Sequence, residues 1–358
     1  MKAHLEKVFC FSKIWYTYME VQTTMNNEKG KQNILENITL LIKYSNNHPL
    51  AFHKLKRKNF QNSVVTKYPS KLKTNTSLQD NFEVAIARFK QVLQSYFTFQ
   101  ELTNFYHNLA SLEVDFKNFR ISNFLFNEHI VGVYKAQKNK IFITEDTFKS
   151  AIFHELFHMA STRSEKDTIY SGFSYSSYDS VLGKGLNEGY TELLNQRYFN
   201  PDNYAYFYLT VIAANLEQII GQKRMRYLYM TSNLGGLISD LRKYFSEEEI
   251  LKFIASIDAV KPYLNEEKIS KSEWLKIKHL FQEINKFLIL CYGEKLQNLY
   301  QDETIRKKEF DQFSAFLVTD FLTQDHSYEI LSDQEIDYYC HLALTPRIFQ
   351  DEERGRRK

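Results

Sequence analysis

His154-Glu155-Leu156-Phe157-His158 sets two histidines four residues apart, and Asn187-Glu188-Gly189-Tyr190-Thr191-Glu192 does the same for two carboxylates about thirty residues later. On helices, each pair shares one face. Two neutral imidazoles and one carboxylate make a three-ligand set for a single Zn²⁺, with a fourth position left for water. His154 and His158 are the expected imidazole ligands and Glu188 the expected carboxylate. Glu155 sits beside the ligands, where it can take a proton from water as that water attacks a carbonyl. Glu192, one turn past Glu188, is placed to accept the second N–H of a ligand histidine, and Asn187 to orient the ligand helix or a substrate.

The flanking pattern supports two helices around these stretches. Phe148, Ile152, Leu156 and Met159 form an apolar stripe on an amphipathic helix expected over Thr147–Ser161, after capping candidates at Thr144-Glu145-Asp146. Leu186, Tyr190, Leu193 and Leu194 do the same for a helix from Leu186 to Phe199, closed by Asn200-Pro201. Upstream, Ile130–Tyr134 and Lys140–Ile143 are β-branched and aromatic runs that predict a hairpin. Thr162–Lys184 is polar and predicts a loop beside a cleft.

Most of the rest predicts helix. Residues 1 to about 50 have a one-sided apolar pattern, and a basic stretch from His53 to Lys73 reads as a solvated face ahead of a boundary near Pro69. Helices are expected from Asn81, over Phe99–Leu112, Tyr206–Ile220, Arg224–Ser232, Leu237–Tyr244, from Ser246, over Glu266–Tyr292 and over Glu303–Thr323, with a frayed tail at Asp351–Lys358. With only 11 Gly and 5 Pro in 358 residues, a turn-rich sandwich or barrel is disfavoured. The net charge of +3 is too small to point to nucleic acid. Cys10, Cys291 and Cys340 are odd in number and far apart, which suggests neither a disulfide framework nor a zinc ribbon. No secretory leader or membrane-length apolar run is evident, so the expected location is cytoplasmic, without a membrane partner.

Other zinc-protease patterns fit less well. Ser161 and Ser164 stand where a longer motif with a third histidine needs Gly and His. Asp167 faintly resembles the ligand of the aspartate-type zinc proteases, in an imperfect order.

The two motifs together resemble the gluzincin metallopeptidases, the clan of thermolysin and the zinc aminopeptidases. By position the resemblance implies His154, His158 and Glu188 as zinc ligands, Glu155 as general base and Glu192 as an outer carboxylate. It implies a peptide or protein substrate lying along the strand before the first helix. The spacing between motifs is longer than in either named branch, and no G-A-M-E-N-like segment is present. Tyr175, Tyr178 and Tyr190 are candidates for stabilising an oxyanion. The expected fold is therefore α+β and predominantly α-helical, a zincin-like core with a small antiparallel β region and two active-site helices, flanked by helical segments. The expected division is an N-terminal helical and basic segment over 1–75, the metallopeptidase core over 76–262 and a C-terminal helical region over 263–358. The rival reading is a non-proteolytic zinc-binding interaction or regulatory protein that keeps the motif as a structural clip.

Overall fold

The computed structural model describes residues 78–116, 132–177, 180–201, 206–265, 269–322 and 327–345. The expectations for residues 1–77 and for the tail lie outside the described residues.

Helix α1 (Leu78–Tyr96) buries Phe82, Ala85, Phe89, Val92 and Leu93 along one stripe, the 3.6-residue period of a helix packed on one side. Helix α2 (Thr103–Leu109) is shorter than the Phe99–Leu112 expected. Ahead of it, Glu101 accepts the Thr98 N–H and pairs with Arg226 at 2.7 Å. These contacts fix a turn where a longer helix was expected, and Phe99 is left 80% exposed.

Strands β1 (Glu113–Asp115), β2 (Gly132–Lys135) and β3 (Lys140–Ile143) form a sheet in the order β1-β3-β2. The β2–β3 hairpin is the one the sequence predicts, with Tyr134 opposite Ile141. β1 adds in parallel, so this sheet is mixed and not purely antiparallel.

Helix α3 (Glu145–Ala160) carries the paired histidines. It is not amphipathic as expected, since every residue from Ala151 to Thr162 is buried. Its rear face packs Phe153 and Phe157 against Phe89 of α1 and Phe199, with Phe153 and Phe199 stacked at 4.0 Å. Asn108 of α2 closes its C-terminus by donating to the carbonyls of Met159 and Thr162, the first of which also accepts the Ser161 N–H.

The expected loop after α3 is in fact a four-stranded antiparallel sheet, β4 (Thr162–Glu165), β5 (Thr168–Ser171), β6 (Ser174–Ser176) and β7 (Val181–Leu182). Two-residue turns at Lys166-Asp167 and Gly172-Phe173 join the first three strands. Gly172 has φ +54, and a Cβ there would collide with Asn187 and Tyr229. Its backbone lies close against the second motif.

Helix α4 (Lys184–Phe199) carries that motif and ends at Asn200 in the left-handed conformation. Helix α5 (Phe207–Ile220) packs beside it so closely that a Cβ on Gly189 would strike the Leu209 carbonyl. Helices α6 (Gln222–Met230), α7 (Leu234–Leu241), α8 (Glu247–Val260) and α9 (Lys271–Leu299) follow. Capping boxes at Ser246 and Ser270 start the last two.

Helix α10 (Glu303–Ser314) stops before the expected Thr323. Side-chain amides explain the stop: Asn215 of α5 donates to the Phe316 carbonyl and Asn285 of α9 to that of Val318. The chain then runs into β8 (Asp320–Leu322), which pairs with β9 (Ser327–Glu329) before α11 (Asp333–Leu344). The buried apolar residues, from Phe82 to Ala343, form one cluster. The architecture is α+β and mainly helical. Among the described residues no helix is long and apolar enough to cross a membrane.

Candidate metal centre

The inner faces of α3 and α4 meet at three donor atoms. His154 Nε2 and His158 Nε2 lie 3.0 Å apart, and Glu188 Oε2 lies 3.2 Å from the first and 3.1 Å from the second. The i, i+4 spacing on α3 sets the two rings on one face, edge-on to each other at 4.8 Å between centroids.

Each donor is held from behind. His154 Nδ1 lies 2.9 Å from Glu192 Oε2. In the neutral ring Nδ1–H donates to that carboxylate, which leaves the Nε2 lone pair facing the other two donors. Glu192 is buried, yet it also accepts from Gln196 and Asn195. The Asn187 amide touches His158 Nδ1 at 3.2 Å, and its Oδ1 accepts the Phe173 N–H from the β5–β6 turn. Thr191, whose hydroxyl donates to the Asn187 carbonyl, stands 3.5 Å from the same ring nitrogen.

Glu155 is beside this group and outside it. Its Oε2 accepts the Tyr134 N–H from strand β2 at 2.7 Å, and Gly132 presses on its side chain. Burial raises the Glu155 carboxyl, opposed by the charges of His154 and His158. Burial also works upward on Glu188, but Lys261 and the two imidazoles outweigh it and hold that carboxyl well below its usual range. For His154 burial disfavours the charged ring. Hydrogen bonds to Glu188 and Glu192 and the charges of Glu155 and Glu192 overcome it and lift the ring to about 10.

The sequence motifs do not contain two other participants. Lys261, immediately after α8, donates to Glu188 Oε1 at 3.1 Å from 73 residues away. Tyr206 precedes α5 with φ +55, unusual for a bulky side chain. Its ring lies 5.7 Å from that of His154 and 5.4 Å from Lys261 Nζ. Lysines and tyrosines are common in this chain, so neither had a distinguishing signal.

Some expected residues lie elsewhere. Tyr190 points away from the donors and donates to Glu217 at 2.7 Å, so it cannot serve an oxyanion at this centre. Tyr175 packs on Tyr170 in the β4–β7 sheet, and Tyr178 is outside the described residues. Asp167 occupies the exposed β4–β5 turn and takes no part in the donor group.

The donor set fits a divalent cation. Two aromatic nitrogens 3.0 Å apart beside a carboxylate oxygen repel unless a proton or a cation sits among them. With zinc–nitrogen and zinc–oxygen bonds of about 2.0–2.1 Å, tetrahedral ligand atoms stand about 3.3 Å apart, within a few tenths of the distances here. Among the described residues, Glu155, Glu188 and Glu192 when ionised set three negative charges against the one positive charge of Lys261, with the imidazoles neutral. A divalent ion neutralises the difference. Among the described residues no fourth His, Cys, Asp or Glu joins the three.

No protein-family model, curated protein or solved structure matches this chain.

Proposed function

We propose that the chain is a zinc-dependent peptidase of gluzincin type with a zincin-like core, acting on a peptide or protein substrate in the cytoplasm. The observation that carries the reading is the convergence of His154, His158 and Glu188 beside a fourth group, Glu155, that is close to them without being a ligand. Three protein ligands are the usual complement of a catalytic zinc, whereas a structural clip has four. The set of three among the described residues, with Glu155 beside it, supports the enzyme over the interaction protein.

Bound zinc would supply the acidity that makes water a nucleophile near neutral pH. The remaining work falls to the chain. Glu155, its Oε2 held by Tyr134, takes the proton from water on its other oxygen and delivers it to the departing amine. The Glu192 carboxylate keeps the His154 lone pair turned inward. Among the described residues β2 is an edge strand of its sheet, and a substrate strand adding along it brings its backbone past Glu155.

Metal analysis of the purified protein tests the reading. The wild type should carry one zinc and cleave a peptide mixture, with cleavage lost to chelator and restored by zinc. Glu188→Ala should carry none. A wild type that takes up no zinc sinks the proposal.

The raised His154 adds a pH dependence. In the metal-free protein this ring stays protonated up to about pH 10, and a ligand nitrogen must shed its proton first. Apparent zinc affinity should therefore rise about tenfold per pH unit through the neutral range, one proton leaving per ion bound. The sign for stability is opposite. The charged ring stabilises the metal-free fold fully below its ordinary 6.5, and this contribution disappears as pH rises through about 10. Competition titrations between pH 6 and 8.5 check the first statement; an affinity flat with pH contradicts it.

A further inference from the structure

Glu188 faces the histidines with one oxygen only. Oε2 lies against both Nε2 atoms, and Oε1 is taken by Lys261 Nζ at 3.1 Å. Both partners are largely buried, at 14% and 13% side-chain exposure, so the pair is poorly screened by water. The ammonium also sits over the Tyr206 ring, a cation–π contact that limits its freedom.

The attachment of Lys261 is equally fixed. Three residues earlier, Asp258 of α8 accepts the Gly183 N–H at 2.7 Å and the Gly185 N–H at 2.6 Å. Those are the amides of the N-cap residue and of the second residue of α4, which has no side-chain cap of its own. Helix α8 thus grips the start of α4 and reaches Glu188, near that end of the same helix, with the lysine.

We propose that Lys261 is a positioning residue that keeps Glu188 a one-oxygen ligand, so that a coordination position stays open for water and the ion remains a strong Lewis acid. This rests on the zinc reading above. A carboxylate with both oxygens available can chelate one ion, which fills a further position and donates more charge. An ammonium on Oε1 prevents chelation and draws charge from the ligand.

The consequence runs against simple support. A lysine that merely braced Glu188 would, on removal, weaken metal binding. Removing this one frees Oε1 and leaves one more uncompensated negative charge. Lys261→Met should therefore bind zinc about tenfold more tightly while hydrolysing peptides more slowly. Lys261→Arg, which keeps the cation, should stay near wild type in both.

The test is a chelator-competition titration of the full chain and its two variants with zinc, together with visible absorption of the cobalt(II)-substituted proteins. Wild type should show the intense bands of a four-coordinate ion, and Lys261→Met the weaker bands of a higher coordination number. Weaker or unchanged zinc affinity in Lys261→Met overturns the proposal. So does a weak, high-coordination cobalt spectrum in wild type, which needs no variant to fold. Absence of zinc and cobalt binding by wild type would remove the metal reading itself, a different failure from a metal site that ignores Lys261.

Discussion

Glu155→Gln should retain one zinc per chain and lose about 10²–10⁴ of the hydrolytic rate, the usual contribution of a positioned general base. The substitution is nearly isosteric, and its amide oxygen can still accept the Tyr134 N–H that holds the wild-type carboxylate. The side chain should therefore stay in place between β2 and the donor group. What disappears is the capacity to take a proton. Metal content and turnover measured on one preparation separate the two roles. Wild-type turnover in this variant would falsify the assignment of Glu155, whatever the metal does.

Glu217→Ala should cost about 3–5 kcal/mol of folding stability, the loss expected when one partner of a buried ion pair is removed. Arg197 of α4 donates two hydrogen bonds to Glu217 of α5, at 3.0 and 2.6 Å, and Tyr190 adds a third at 2.7 Å. Both charged side chains are 1% exposed. Truncating Glu217 leaves a guanidinium and a phenol in the interior without the acceptor they share. Urea unfolding of the metal-free proteins measures the difference directly, with zinc binding kept out of the comparison. A loss below about 1 kcal/mol, the range of an exposed pair, would mean that water reaches the cluster.

Features that depend on neighbouring residues were the ones legible in the sequence. Leu186, Tyr190, Leu193 and Leu194 are buried as their spacing predicts, and Asn200 ends α4 as its place before Pro201 suggests. The β2–β3 hairpin follows from its β-branched and aromatic runs. The i, i+4 pattern accounts for His154 beside His158, and the packing of α4 on α3 adds Glu188 to their donor group. The β4–β7 sheet is hard to read from sequence because its strands are only two to four residues long and, apart from Ile169, Val181 and Leu182, are polar or Tyr, without a clear apolar alternation. The turn at Gly172 was the available hint. The early end of α10 is set by Asn215 and Asn285, 101 and 33 residues from the carbonyls they reach. Lys261 belongs to the same class. Its partner is distant in sequence, and only the packing of α8 on α4 brings them together.

That packing bears on how far the chain can be cut down or its chemistry transplanted. A minimal scaffold built from the strand, α3 and α4 would carry Glu155, both histidines, Glu188 and Glu192, a complete set by sequence motif. It would lack the Asp258 carboxylate that holds the first turn of α4 and the cation on Glu188 Oε1. The portable unit of this centre is therefore not two helices but three, and its C-terminal limit falls no earlier than Lys261.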